Sequence, residues 1–111
     1  METIRGFKDT ERYEFDFGKC SIKNGFAQLD TGQDASYFGI WANPFKRIVF
    51  TYCEGDTTLE KAESDDEFAA HIHTIKKFYD DSGYGFKGID PGFNEPLKAK
   101  FQAVGLGHLL H

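Results

Sequence analysis

The sequence predicts a single α+β domain over residues 1–111, an antiparallel meander of four to five strands followed by two helices packed on one of its faces. Three observations carry this. Apolar and polar residues alternate with period two through most of the first 60 or so positions, whereas the last third shows helical spacing with recognisable caps. The length of 111 residues, 40% hydrophobic and 28% charged, is that of one ordinary globular domain.

Tyr13, Phe15 and Phe17 alternate with Glu14 and Asp16, the pattern of a strand with one wet face. Asn24-Gly25 within Lys19 to Asp30 is a strong hairpin signal, and a two-residue turn there would pair Ile22 with Ala27 and Cys20 with Leu29 on one apolar face. After a loop at Thr31-Gly32-Gln33-Asp34, strands are expected from Tyr37 to Ala42 and from Arg47 to Cys53, joined through Asn43-Pro44-Phe45-Lys46. Glu54-Gly55-Asp56 marks a turn, and Thr57 to Ala62 is expected to return as a further strand with Leu59 facing inward.

Ser64-Asp65-Asp66-Glu67 is a capping box that starts a helix, and Phe68, Ile72, Ile75 and Tyr79 recur along one face of it before Gly83 stops it. Asp90-Pro91-Gly92 reads as a turn. Asn94 then caps a second helix, with Pro96 in its first turn, an apolar stripe of Leu97, Phe101 and Val104, and a stop at Gly105.

Composition narrows the function classes. Thirteen Lys and Arg against eighteen Asp and Glu give a net charge of −5, with no basic cluster, so direct nucleic-acid binding is not expected. No apolar run nears the roughly 20 residues of a membrane span, and Met1-Glu2-Thr3-Ile4-Arg5-Gly6 does not open a secretory signal, so a cytoplasmic location without membrane contact is expected. Cys20 and Cys53 fit buried thiols better than a disulfide in such a compartment. Twelve Phe, five Tyr and one Trp make 16% of the chain, so rings replace much of the aliphatic core.

Few constellations suggest chemistry. Gly83-Tyr84-Gly85-Phe86-Lys87-Gly88 spells a dinucleotide fingerprint but follows a helix instead of a strand, so it lacks the context that makes the motif work. His71 and His73 are two apart and turn away from one another by about 200° on a helix, which prevents joint metal binding and leaves His73 on the solvated side. His108 and His111 lie near the end of the sequence. The acidic residues around Cys53 disfavour a reactive thiolate. Neither a cofactor, a metal site nor a catalytic residue is expected.

Two surfaces stand out. Seven carboxylates crowd the stretch from Glu54 to Glu67, of which Glu54, Asp56, Glu60, Glu63 and Asp66 make an acidic edge suited to a basic protein partner. Asp65, Asp66 and Glu67 also complement the helix dipole, and the spacing is not that of a calcium loop. Tyr37, Trp41 and Phe45 form an aromatic group around the strand ending at Asn43-Pro44, and if Phe38, Ile40 and Ala42 face the helices, Trp41 lies on the opposite sheet face. The reversed assignment would make these rings core.

The stretch from Tyr37 to Ser64, with Gly88-Ile89-Asp90-Pro91-Gly92-Phe93-Asn94, resembles small uncharacterised proteins carried on bacterial plasmids and other mobile elements. That resemblance implies a bacterial cytoplasmic accessory protein and brings no activity. Taken together, the residues favour a non-catalytic interaction protein, a homodimer or a binder of another protein, using the aromatic face and the acidic edge. The alternative is a small-molecule-binding domain or modest enzyme with an aromatic-lined pocket between sheet and helices, in which Tyr52, Glu54 and His71 would be the polar groups.

Overall fold

In the computed structural model, which describes residues 2–5, 21–33, 38–53 and 56–111, the chain is an antiparallel sheet with two helices, as its sequence predicts. Among the described residues the sheet has six strands: β1 (Glu2–Arg5), β2 (Ala27–Asp30), β3 (Phe38–Asn43), β4 (Ile48–Cys53), β5 (Asp56–Lys61) and β6 (Gly88–Asp90). Their spatial order is β1-β5-β4-β3-β2-β6. Strands β2 to β5 pair in sequence order as an antiparallel meander, while β1 and β6 add antiparallel strands at its two sides. These flanking strands are only four and three residues long, too short for period-two alternation to mark them, and the sequence reading missed both. The strand expected at Tyr13 to Phe17 lies outside the described residues, as does Cys20.

The hairpin expected at Asn24-Gly25 does not form. Ile22–Asn24 is instead a short 3-10 turn closed by Gly25, whose N–H donates to the Ile22 carbonyl at 3.1 Å. A two-residue type I′ turn needs positive φ at both central residues; here Gly25 adopts φ of 86° and Asn24 does not turn left-handed. Ala27 accordingly pairs with Ala42 and Leu29 with Ile89, partners distant in sequence.

Helix α1 (Asp65–Asp81) starts where the capping box predicts, with the Ser64 hydroxyl accepting the Glu67 N–H at 3.1 Å. Its carboxylates Asp65, Asp66 and Glu67 occupy the first turn, and Gly83 beyond its end has φ of 85°. Helix α2 (Glu95–Ala103) is capped by Asn94, whose Oδ1 accepts the Leu97 N–H at 3.0 Å. A 3-10 turn at Gly107–Leu109 follows.

Both helices cover the same sheet face. Ala27, Leu29, Ile40, Ala42, Val49 and Ile89 from the strands form one buried cluster with Phe68, Ile72 and Tyr79 of α1 and Leu97 and Phe101 of α2. Phe68 and Phe101 bring the helices together, their ring centroids 6.5 Å apart. The alternation in β4 sends Val49 into this layer and Ile48 and Phe50 to the other face, where they join Phe26 and Leu59 in a second buried cluster. Each of these fully buried side chains contributes about 1.5–3 kcal/mol relative to an exposed one.

Candidate functional site

The sheet face away from the helices is not an open apolar patch among the described residues. Phe50 and Leu59 stand beside Trp41 in register across β3, β4 and β5, and Phe50 is fully buried and Leu59 1% exposed. Phe38, Ile40 and Ala42 face the helices, one of the two assignments that the alternation leaves open, and Trp41 packs with the opposite cluster. Its ring meets Phe50 edge-on at a centroid distance of 6.2 Å and folds back over Gly39, where an added Cβ would come within 2.2 Å of the indole. Trp41 is therefore half-buried packing of this face. Tyr37 lies outside the described residues.

Phe45, the third member of the expected aromatic group, is 52% exposed on the β3–β4 turn. The turn is rigid: Asn43 Oδ1 accepts the Phe45 and Lys46 N–H groups at 2.9 and 3.0 Å, and its buried Nδ2 donates to the Asn24 carbonyl at 3.3 Å. The amide of Asn94 makes a matching bond from the other side, donating through Nδ2 to the Ile22 carbonyl at 2.9 Å. Two asparagines thus fasten the 3-10 turn at Ile22–Asn24 between the β3–β4 turn and the β6–α2 loop. Phe45 lies against Gly25 and Ile22 against Gly92, and next to Gly92 is Phe93, whose side chain is wholly exposed. Phe45, Ile22 and Phe93 form a surface on three turns. The sequence signals marked each turn separately; the long-range amide bonds that unite them leave no local pattern.

The acidic segment is more divided than a continuous edge. Strand β5 lies between β1 and β4, so it is interior to the sheet. Glu60 turns toward α1, where its Oε2 is 3.2 Å from His71 Nε2. Asp65 accepts the Arg47 Nε–H at 2.9 Å, and this bond holds its carboxyl below the usual aspartate range. Glu63 and Asp66 are exposed, and the Glu63 carbonyl also accepts from Arg47. Glu54 lies outside the described residues, and of Asp56 only the backbone, paired with Cys53, is described.

A groove of about 290 Å³ runs between α1 and the sheet, lined by Ile40, Thr51, Ile75, Phe78 and Tyr79 with the Glu60–His71 pair. His71 Nε2 is buried without a directed hydrogen bond, so its 3.2 Å approach to Glu60 Oε2 lacks hydrogen-bond alignment. Burial raises the Tyr79 hydroxyl above its ordinary value, and the nearby Cys53 and Tyr84 add to that shift. Of the polar groups expected in a pocket, His71 is here, Tyr52 packs with the cluster on the opposite sheet face, and Glu54 lies outside the described residues. Thr51, one residue earlier, takes the groove position because strand alternation points adjacent side chains to opposite faces.

Cys53 is exposed with a free thiol. Of the glycine-rich stretch, Gly83 and Gly85 lie in the loop after α1 and Gly88 begins β6. His71 and His73 point apart as their spacing requires, His73 meeting His108 across 3.1 Å. His111 Nε2 approaches Asp30 Oδ2 to 3.5 Å, and its N–H donates to the Ile89 carbonyl. No helix among the described residues is long and apolar enough to cross a membrane. No protein-family model, curated protein or solved structure matches the chain.

Proposed function

We propose that this protein is a non-catalytic interaction module that self-associates through the end of the sheet carrying Phe45, Ile22 and Phe93. The observation that carries this reading is the combination of exposure and rigidity. Phe45 and Phe93 are 52% and 101% exposed, yet the turns that hold them are tied by the Asn43 and Asn94 amides. Turns already tied together lose little backbone freedom on docking, and aromatic anchors dominate the energetics of such contacts. A two-fold dimer needs only one self-complementary patch. Among the described residues, Glu63, just before α1, and Asp66 in its first turn are exposed acidic groups for a basic protein partner.

Sedimentation velocity at high micromolar concentration tests the reading. Wild type is expected to sediment as a dimer and a Phe45→Ser, Phe93→Ser variant as a folded monomer, since neither side chain is buried. A monomeric wild type, or a variant that remains dimeric, refutes self-association through this end.

A second reading is supported by the groove beside α1, where an imidazole nitrogen without a directed hydrogen bond lies beside the Glu60 carboxylate among Ile40, Ile75, Phe78 and Tyr79. It would take a small apolar molecule bearing one hydrogen-bonding group. Chemical-shift changes confined to His71, Thr51 and Ile75 on titration with a fragment library would support it, and changes elsewhere would not.

A further inference from the structure

Two imidazoles 35 residues apart in sequence meet on the surface, away from both the groove and the three-turn end. His73 projects from the solvent side of α1 and His108 from the turn at Gly107–Leu109; both are exposed. Their Nε2 atoms are 3.1 Å apart, with the ring planes 18° from parallel and the centroids separated by 5.2 Å. The centroid separation exceeds the nitrogen separation by nearly the width of a ring. The nitrogens therefore lead, facing one another instead of lying beneath a stacked ring.

We propose that His73 and His108 form a two-imidazole surface clamp for a borderline divalent transition-metal ion of the Ni²⁺, Cu²⁺ or Zn²⁺ class. Two nitrogens held at about 2.0–2.1 Å from one ion stand roughly 2.9–3.4 Å apart for bond angles between octahedral and tetrahedral. The observed separation falls inside that range, so turning the two rings toward a common point, with the nitrogens kept at this distance, brings both lone pairs onto one ion. Imidazole is a preferred ligand of these ions, whereas hard cations such as Mg²⁺ and Ca²⁺ select oxygen.

The chemistry balances without a redox step. For two neutral rings, a hydrogen bond between the Nε2 atoms has the Nε2 proton on one ring and the proton of the other on its Nδ1. Binding moves that first proton from Nε2 to Nδ1 by exchange with water, and both Nε2 lone pairs go to the ion. Neutral rings lose no net proton. The cations one turn along the helix do not oppose it, because Lys76 pairs with Asp80 and Lys77 with Asp81.

Among the described residues, no group of three or more His, Cys, Asp or Glu side chains converges on one point. The chain therefore supplies two ligands and water the remainder, which makes the site open and exchangeable, unlike a closed structural zinc centre. The ion would join α1 to the C-terminal turn, whose Leu109 is buried in the core.

Calorimetric titration of tag-free protein with nickel(II) chloride tests the clamp; nickel is chosen because it does not oxidise the exposed Cys53 thiol. One ion per chain is expected. His73→Gln and His108→Gln should each weaken binding at least tenfold, His71→Gln should change it less than twofold, and circular dichroism should show all three folded. Saturating nickel should also raise the melting temperature of wild type and leave that of His108→Gln unchanged. Absence of binding to wild type, or binding that survives either His73→Gln or His108→Gln, overturns the proposal.

Discussion

Arg47 and Asp65 tie the sheet to the first helix: the Arg47 Nε–H donates to Asp65 Oδ1 at 2.9 Å, and Arg47 is the one non-glycine with positive φ, 57°, among the described residues. Its carbonyl accepts the Ala62 N–H at 2.8 Å, and its guanidinium also donates to the Glu63 carbonyl at 3.2 Å. Arg47 is thus bonded through backbone and side chain to the link between β5 and α1 and to the first residue of α1.

A left-handed conformation costs an ordinary residue about 1 kcal/mol that glycine avoids. Arg47→Ala loses the ion pair and keeps the strain; Arg47→Gly loses the same pair and relieves it. Urea denaturation should therefore find Arg47→Gly the more stable of the two by about 0.5–1 kcal/mol. The reverse order would mean that the backbone here is not strained.

The Asp65 carboxyl is held below its ordinary value of 3.8 by the Arg47 bond. A lowered folded-state value means that the stabilisation is present in full above the unfolded value and is lost as pH falls through the folded one. Stability of wild type should therefore drop more steeply below about pH 4 than that of Asp65→Asn. Asp80, lowered by its bond to Lys76, behaves alike in both proteins. Parallel profiles from denaturant midpoints measured between pH 2 and pH 6 would remove the proposed linkage.

Ile72 is fully buried between α1 and the sheet, whereas Phe78 on the same helix is 61% exposed. Ile72→Ala should cost roughly 2–5 kcal/mol by equilibrium denaturation. Phe78→Ala should stay within about 0.5 kcal/mol, the range of surface substitutions. Comparable losses at the two positions would contradict the helix orientation.

Trp41 is the only tryptophan in the chain, which makes it a reporter for its contact with Gly39. An added Cβ at Gly39 would stand 2.2 Å from the indole Cη2, so Gly39→Ala must displace the ring. Emission should move to longer wavelength as the indole turns toward water, with a stability loss of about 1–3 kcal/mol from overpacking. An unchanged spectrum would show that the ring does not rest on Gly39.

The helices were legible from the chain alone. Ser64 and Asn94 cap them, Phe68, Ile72, Leu97 and Phe101 form their buried stripes, and Gly83 and Gly105 stop them. Capping and i, i+4 spacing act within a few residues, so the sequence holds all the information they need. Alternation also separates Ile40 from Trp41 and Val49 from Phe50, but it does not say which of the two faces the helices cover, and the structure gives them the face of Ile40 and Val49. Strand partners were another matter: Asn24-Gly25 suggested a local hairpin, and Ala27 and Leu29 instead pair with Ala42 and Ile89. The candidate sites share that dependence, since Glu60 with His71, Asn43 with Asn24, and His73 with His108 are side-chain meetings across distant segments. Each of the residues was visible in the sequence, but nothing in a residue's neighbours specifies which distant strand or helix will be packed against it. That choice is made only when long-range burial of the two apolar clusters selects one sheet register over its alternatives.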